Sequence, residues 1–247
     1  MDSFLKRKAE RLIYILNGKD KEFAEIKFWR RQIAAYTKWY NGELKDLFGN
    51  PPPSEAQKVK AYTLELSALL TFFNVHQKPK YLKDLQLSET EFNGMKVLDV
   101  GAGPFPNALC FKDCDIYSLD PLMDQYVSAG YPLHCYDARA RFVCCLAEAI
   151  PFEDGFFDAV VSVNAIDHVN DFAETAKELK RVLKPGGRFR MHVHYHPETK
   201  AEPLELNDAV FLQHYSWVKD LKKISESKTK TGTAINDDRE LFVVWGN

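Results

Sequence analysis

The spacing of apolar residues predicts that the first third of the chain is helical. Between residues 20 and 48, apolar side chains recur in steps of three and four residues, which places them in one stripe along a long helix. The prolines at positions 51–53 end this helix, because proline lacks the amide donor and clashes with the preceding turn. Ser54 and Gln57 have the spacing of a capping box, so we predict a second helix from there to about Val75.

The pattern changes at Gly94, after which short apolar runs alternate with helical segments such as Asp171–Leu183. The predicted strands are Met95–Val100, Asp115–Leu119, Phe142–Leu146, Phe157–Val163, Arg188–Tyr195, about Lys222–Thr231 and Glu240–Trp245. Strands alternating with helices indicate a parallel sheet covered on both faces, and two final strands without an intervening helix indicate an antiparallel edge hairpin. We therefore predict an α/β fold, with a seven-stranded mostly parallel sheet over residues 94–247 and a helical N-terminal cap over residues 1–93.

Composition and charge exclude several classes of protein. The chain has 247 residues, and 45% hydrophobic with 28% charged residues is typical of a globular protein. No segment without Asp, Glu, Lys or Arg exceeds 12 residues, so we expect no membrane-spanning helix. The net charge of −2 argues against a general nucleic-acid-binding protein. The N-terminus lacks the apolar core of a secretory signal and the five cysteines form no regular frame, so we expect a cytoplasmic protein.

A glycine-rich turn follows the first predicted strand. Gly101 and Gly103 allow the backbone to turn sharply and to approach a ligand closely, and the next strand ends at Asp120. In open α/β sheets the ligand lies beyond the carboxyl ends of the strands, where a carboxylate can accept hydrogen bonds from both hydroxyls of a ribose. This arrangement predicts an adenosine-containing ligand. A dinucleotide site would require glycine at position 106, where this chain has Pro106, so a nicotinamide or flavin dinucleotide is disfavoured.

Several sequence blocks occur in order between Lys96 and His196. They are Leu98–Gly103, Asp120, Ala147–Val160, Asn164–Asp171 and Leu179–Arg188. In residue types and spacing these blocks resemble the class I, Rossmann-like S-adenosylmethionine-dependent methyltransferases, and among them the "type 11"-like subgroup that acts mostly on small molecules. The resemblance implies a Rossmann-like sheet and S-adenosyl-L-methionine as the cofactor.

The resemblance also implies a set of cofactor-binding residues. It places the glycine turn against the methionine part of the cofactor, with Asp99 orienting the turn, and it places Asp120 on the ribose. Pro121 would lie against the adenine, and Asn164 would face the sulfonium. The complete set is Asp99, Gly101, Ala102, Gly103, Asp120, Pro121, Ala147, Glu148 and Asn164.

Three features depart from the family pattern. Position 105 is usually a small residue and is Phe105 here. Position 146 is often an aspartate that accepts from the adenine amine, and it is Leu146 here, so that contact is either missing or made by Glu148. The interval between Gly101 and Asp120 is short, which implies a short first crossover helix.

His168 is the candidate general base. It follows the fourth predicted strand on the side of the cleft, and its ordinary pKa near 6.5 suits proton removal from an acceptor. Some small-molecule O-methyltransferases that this chain resembles use a histidine in this block, and the neighbouring Asp167 would orient it. The alternative is that His168 only packs the turn before Asp171.

A row of polar side chains follows the fifth predicted strand. Because strand residues alternate between faces, His192, His194 and His196 share one side with the arginines that precede them. We predict that His194, Tyr195 and His196 contribute to substrate binding. Two alternatives remain open, namely that the segment 198–208 covers the row or that the histidines bind a metal, although our site prediction contains no metal.

Together these features predict S-adenosylmethionine-dependent methyl transfer, by in-line displacement, to the oxygen or nitrogen of a small-molecule acceptor. The cap over residues 1–93 would close over the acceptor, and no nucleic-acid or membrane partner is expected. The alternatives are a non-catalytic or regulatory protein that keeps the fold and, less favoured, a protein or nucleic-acid methyltransferase. Neither the acceptor nor the oligomeric state follows from the sequence.

Overall fold

The computed structural model describes residues 3–197, 204–228 and 240–247, with side chains from residue 22 onward. The helices are α1 (Ser3–Tyr40), α2 (Leu64–Phe72), α3 (Lys78–Leu85), α4 (Met123–Ala129), α5 (Phe172–Val182) and α6 (Asp208–Tyr215). The strands are β1 (Lys96–Val100), β2 (Asp115–Leu119), β3 (Ala140–Val143), β4 (Phe157–Val163), β5 (Leu183–Tyr195), β6 (Lys222–Ser227) and β7 (Leu241–Gly246). Among the described helices, none is long and apolar enough to cross a bilayer.

The seven strands form one sheet in the order β3-β2-β1-β4-β5-β7-β6. The first five are parallel to their neighbours, whereas β7 lies antiparallel between β5 and β6. The predicted α/β fold with an antiparallel C-terminal pair is therefore confirmed. The predicted strand residues 229–231 lie outside the described residues.

Each face of the sheet carries its own hydrophobic cluster, because alternate strand residues point to opposite faces. On one face, Val97 packs with Trp39 and Phe72 of the N-terminal helices and with α4. On the other face, Leu98 packs with Leu179 of α5 and with α6. The N-terminal helices therefore form part of one layer of the fold.

The chain between β1 and β2 forms only a 3₁₀ turn, Asn107–Cys110, as the short interval predicted. Helix α3 packs against this turn and against β4 and β5. The N-terminal helices therefore cover the part of the sheet that a longer crossover helix would cover.

The predicted end of the first helix at Phe48 is wrong, since α1 ends at Tyr40. Beyond it the chain folds back on the helix, and the indole Nε1 of Trp39 donates to the carbonyls of Asn50 and Pro51 at 3.1 and 2.9 Å. These contacts satisfy a buried donor. They also fix the returning segment against the helix, where further helical turns were predicted.

The predicted helix start at Ser54 is also wrong. Gln57 Oε1 does accept from the amide and hydroxyl of Ser54, at 3.0 and 2.9 Å, but these bonds close an isolated turn. Helix α2 begins at Leu64, with Thr63 as its N-cap, and continues through a π-helical turn into α3, which the pattern did not predict.

The strand boundaries differ most from the predictions at β3 and β5. Strand β3 ends at Val143, because the chain then turns and brings residues 146–148 to the end of the sheet. Strand β5 begins at Leu183 and not at Arg188, and its first residues lie next to the register shift between Phe157 and Ala159.

Candidate active site

The glycine turn after β1 is held by two neighbours. Gly101 has φ +70°, and a Cβ at this position would lie 2.2 Å from the Cβ of Ala165 in the loop after β4. Gly103 has φ +64°, and its amide donates to Oδ2 of Asp120 at 3.0 Å. Both glycines thus occupy backbone conformations that side chains rarely adopt, and Gly101 also permits close contact between two loops.

Asp120 lies at the end of β2 and in the wall of a cavity, as predicted. Its two carboxylate oxygens accept from the amides of Gly103 and Leu122, at 3.0 and 2.9 Å. Burial raises the pKa of this carboxyl group to about 6, against the opposing effect of these amides. The Tyr126 hydroxyl also forms a hydrogen bond with this carboxylate. A carboxylate offers about four acceptor positions, so Asp120 can still accept from a ligand hydroxyl.

Asp99 lies beneath the turn and does not line the cavity formed by the described residues. The hydroxyl of Tyr81, which does line it, donates to Oδ1 of Asp99. Burial raises the pKa of Asp99 to about 7. Asp99 therefore acts on the site through Tyr81, a residue that sequence reasoning missed because α3 was not predicted.

The loop after β3 forms the next part of the wall. Pro121, Ala147 and Glu148 all line the cavity together with Leu146. Oε1 of Glu148 accepts from the amides of Asn170 and Asp171, at 2.6 and 3.0 Å. Glu148 therefore ties this loop to the loop that follows β4.

The loop after β4 contributes Asn164 and His168 to the cavity. Asn164 has φ +52°, and its backbone amide donates to the carbonyl of His192 at 2.8 Å. Its side-chain Oδ1 meets no donor among the described residues. His168 ends the 3₁₀ turn Ile166–His168, and its side chain is 30% exposed. Nε2 of His168 lies 3.6 Å from Oδ2 of Asp167, whose side chain is fully buried.

The predicted substrate residues on β5 do not belong to this wall, as far as the described residues define it. Nε2 of His196 lies 3.3 Å from Oδ2 of Asp167, and Nε2 of His194 lies 3.4 Å from Oε2 of Glu240. Both histidines therefore lie behind the turn that carries His168.

Tyr195 points to the opposite face of the sheet and is buried in its core. Its hydroxyl accepts from Nε1 of Trp245 at 3.0 Å and donates to Oδ1 of Asp208 at 3.2 Å. The structure therefore places this side chain away from the cavity.

The remaining wall comes from the N-terminal helices, the segment expected to close over the acceptor. Trp29 of α1 lies over the glycine turn, since its Cζ2 is 3.9 Å from the position of a Cβ on Gly103, and its Nε1 donates to Glu25 at 2.6 Å. Phe105, the unusual residue of the turn, packs in this wall against Trp29 and Tyr36. The N-terminal residues that line the cavity are Glu22, Glu25, Phe28, Trp29, Tyr36, Phe48, His76, Gln77, Lys80 and Tyr81.

The cavity measures about 540 Å³. This lies within the range of about 300–1,000 Å³ that is usual for small-molecule sites. Its wall combines the glycine turn and Asp120 with residues of α1 and with His168. The helical spacing of Glu22, Glu25 and Trp29 could have indicated that they share one face of α1, but not that this face meets the glycine turn.

Comparison with known proteins shows which family the central part of the chain resembles. Residues 98–191 match the family model described as "Methyltransferase domain". An uncharacterised methyltransferase of Bacillus subtilis, YcgJ, is 30% identical over 149 residues, which are 59% of this chain and 56% of that protein. The 2-methyl-6-phytyl-1,4-hydroquinone methyltransferase of Synechocystis is 41% identical over 96 residues, 38% of this chain and 30% of that protein. The chain therefore matches little more than half the length of one relative and less than a third of the other.

Solved structures show the same fold. The crystal structure of YcgJ superposes with a TM-score of 0.53 at 19% identity, covering 69% of this chain and 97% of that one. Phosphoethanolamine N-methyltransferase 2 of Haemonchus contortus, in complex with phosphomonomethylethanolamine and S-adenosylhomocysteine, superposes with a TM-score of 0.52 at 16% identity, covering 70% of this chain and 52% of that one. Residues 98–191 thus match a methyltransferase domain, and the sheet has the fold that these solved methyltransferase structures share.

Proposed function

We propose that this protein transfers a methyl group from S-adenosylmethionine to an oxygen or nitrogen atom of a small-molecule acceptor. One observation carries the proposal: the glycine turn, Asp120, His168 and the aromatic face of α1 all border the same cavity of about 540 Å³. A cofactor bound at the glycine turn and an acceptor bound against α1 would therefore meet inside one cavity.

The residues present fit the cofactor. Asp120, which accepts from two amides and from Tyr126, keeps an acceptor position for a ribose hydroxyl, and Oδ1 of both Asn107 and Asn164 meets no donor among the described side chains and amides. The cavity wall also carries Glu25 and Glu148, whose carboxylates favour a positively charged ligand. When bound, S-adenosylmethionine supplies a methyl group activated by the adjacent sulfonium.

The protein's contribution would be alignment, exclusion of water and proton removal. The glycine turn and Asp120 fix one reactant against the end of the sheet, which lowers the entropic part of the barrier. His168 takes the proton that the acceptor atom loses as it is methylated. The carboxylate of Asp167, 3.6 Å from Nε2 of His168, favours the imidazolium that results and positions the turn.

The wall formed by α1 indicates an acceptor with an apolar or aromatic surface. Phe28, Trp29 and Tyr36 present rings to the cavity, and ring faces pack well against planar ligands. The Synechocystis relative is named for methylation of an aromatic hydroquinone, which agrees with an acceptor of this type. Neither a nucleic acid nor a membrane is required as a partner.

Calorimetric titration with S-adenosylmethionine, S-adenosylhomocysteine and NADH tests the cofactor assignment. We expect Asp120→Asn to weaken the binding of S-adenosylhomocysteine about ten- to hundredfold, because a hydrogen bond to a charged group contributes about 1.5–3 kcal/mol. Asp124→Asn, an exposed aspartate on α4 outside the cavity, is the matched control. Binding of NADH alone, or equal affinities for the two variants, would refute the assignment.

Transfer itself is tested with radiolabelled cofactor and a panel of small phenols and amines. Once the panel has given an acceptor, His168→Ala should slow single-turnover methyl transfer about a hundredfold, while the affinity for the cofactor stays nearly unchanged. His134→Ala, an exposed histidine away from the cavity, controls for loss of an imidazole. A protein that binds the cofactor but methylates no member of a broad panel would instead fit a regulatory role.

A further inference from the structure

A fully buried carboxylate lies directly behind the cavity. The side chain of Asp167 is 0% exposed, and neither of its oxygens receives a hydrogen bond from any described residue. An ionised carboxylate is costly to bury unless a positive charge or several donors compensate it. We therefore expect a cation close to the carboxylate of Asp167.

Two imidazoles face this carboxylate, that of His194 in β5 and that of His196 directly after the strand. One ligand atom from each of Asp167, His194 and His196 can be chosen so that all three lie within 4.8 Å of one another. The shortest of these separations is the 3.3 Å between Nε2 of His196 and Oδ2 of Asp167. Nitrogen and oxygen ligands about 2.0–2.2 Å from a shared tetrahedral metal ion lie about 3.4 Å apart, which matches this pair.

The ring of His196 is oriented as a metal ligand would be. Its Nδ1 lies 2.7 Å from the carbonyl oxygen of Pro197, and since a carbonyl only accepts, Nδ1 carries the hydrogen. In the neutral ring the lone pair of Nε2 then points to the same region as the carboxylate of Asp167. Metal-bound histidines commonly use their second ring nitrogen in this way, to fix the tautomer and the ring plane.

The ligands are also held on rigid elements. His194 stacks on Phe242 of β7 with a centroid distance of 4.4 Å and an interplanar angle of 12°, and the two residues are paired in the sheet. Asp167 lies in the 3₁₀ turn that follows β4, the strand next to β5. The cluster therefore joins two adjacent strand ends.

We propose that Asp167, His194 and His196 bind a divalent transition-metal ion, for which their nitrogen and oxygen donors suit zinc. The ion compensates the buried carboxylate and fixes the turn that carries His168 to the end of β5. The competing arrangement is a metal-free ion pair between protonated His196 and Asp167, with Glu240 as the carboxylate beside His194. The experiment below distinguishes the two, and because it does not measure methyl transfer, its outcome is independent of the proposed function.

The test uses the full chain, purified without a polyhistidine tag. After chelation and dialysis, zinc is titrated by calorimetry and cobalt(II) by its visible ligand-field absorption, with metal content measured by mass spectrometry. We expect close to one zinc ion per chain, a tetrahedral cobalt spectrum and a rise in Tm on adding zinc. His196→Ala and Asp167→Asn should lose this binding, whereas His134→Ala should retain it.

Circular dichroism of each apoprotein establishes whether the variant is folded. If a variant does not fold, the wild-type titrations still decide, because the cobalt spectrum reports nitrogen and oxygen ligands directly. Wild-type protein that retains no zinc and gives no cobalt absorption, or binding that survives in folded His196→Ala and Asp167→Asn, would overturn the proposal and leave the ion pair as the explanation.

Discussion

Gly101 is the residue at which the backbone of the cofactor turn and the loop after β4 come closest. Its φ of +70° would strain any side chain, and a Cβ there would lie 2.2 Å from the Cβ of Ala165. Since Ala165 precedes the turn that carries Asp167 and His168, this contact sets how close the catalytic candidates lie to the glycine turn. A larger residue at position 101 would push the two loops apart.

We expect Gly101→Ala to reduce the free energy of unfolding by about 2–4 kcal/mol, of which about 1 kcal/mol comes from the left-handed backbone and the remainder from the overlap with Ala165. Gly94→Ala is the matched control, because Gly94 has φ +75° but no atom within 4 Å of its Cβ position. Urea denaturation of both variants measures the difference. Adding Ala165→Gly should recover most of the overlap cost, and equal effects of the two glycine substitutions would show that the contact is not strained.

The buried pair of Asp99 and Tyr81 makes stability depend on pH. Burial raises the pKa of Asp99 to about 7 in the folded chain, above its ordinary value of 3.8. Between these values the folded protein holds a proton that the unfolded chain has lost, so the free energy of unfolding falls as the pH rises through this window.

Asp99→Asn should remove this contribution, because its amide oxygen still accepts from Tyr81 without becoming charged. Relative to wild type, the variant should gain on the order of 3 kcal/mol between about pH 5 and about pH 8. Urea denaturation at both pH values measures the gain. Taking the difference between variant and wild type removes the effects of Asp120 and His76, whose carboxyl and imidazole groups also titrate abnormally. A difference that does not change with pH would contradict the assignment.

Residues whose role follows from local backbone chemistry could be predicted from the sequence. Gly101, Gly103 and Asp120 belong to one strand-turn-strand unit, and the cavity wall contains all three. The place of Tyr81 in the wall could not be predicted, because it depends on how α3 packs on the sheet, and no local pattern encodes that.

At the scale of elements, the segment after the three prolines shows how tertiary contacts override a local signal. The amides of Val59 and Ala61 donate to the side chains of Thr71 and Ser67, at 2.8 and 2.9 Å. These donors are therefore used by α2 and hold the chain in an extended course beside it. Of the two bonds of a capping box, only the one from the Ser54 amide to Gln57 Oε1 forms, because the Gln57 amide donates to the carbonyl of Ser54 and not to its hydroxyl, and no helix follows.

The true start of α2 makes a clear prediction. Oγ1 of Thr63 accepts from the amide of Leu66 at 3.1 Å, which satisfies one of the free donors at the helix N-terminus. Thr63→Ala should lower the free energy of unfolding by about 1 kcal/mol. Ser54→Ala, which removes a capping residue with no helix behind it, should cost clearly less in the same urea titration. The reverse order would mean that the turn at Ser54 supports the fold more than the cap does.

At the scale of the whole molecule, the N-terminal helices contribute both to the hydrophobic core and to the cavity wall. The sequence did not show which residues have which role. The last turns of α1 are mainly structural, since Trp39 is buried in the cluster that covers the sheet and Tyr36, which also reaches the cavity, packs in the same cluster. The preceding turns, with Glu25 and Trp29, border the cavity. Deleting the helices would therefore remove core as well as cavity wall, so single side chains offer the better test of acceptor binding.

Phe28 and Phe23 form a matched pair for that test. Both are exposed phenylalanines of α1, 46% and 69% accessible, but only Phe28 lines the cavity among the described residues. If the acceptor covers roughly 50 Å² of the Phe28 ring, Phe28→Ala should lose about 1 kcal/mol of binding and raise the acceptor KM about fivefold. The kcat should change little, because this contact would be made equally in the ground and transition states. Steady-state kinetics on both variants measures the effect, and a Phe23→Ala variant that raises KM as much as Phe28→Ala would show that α1 does not bind the acceptor through its cavity face.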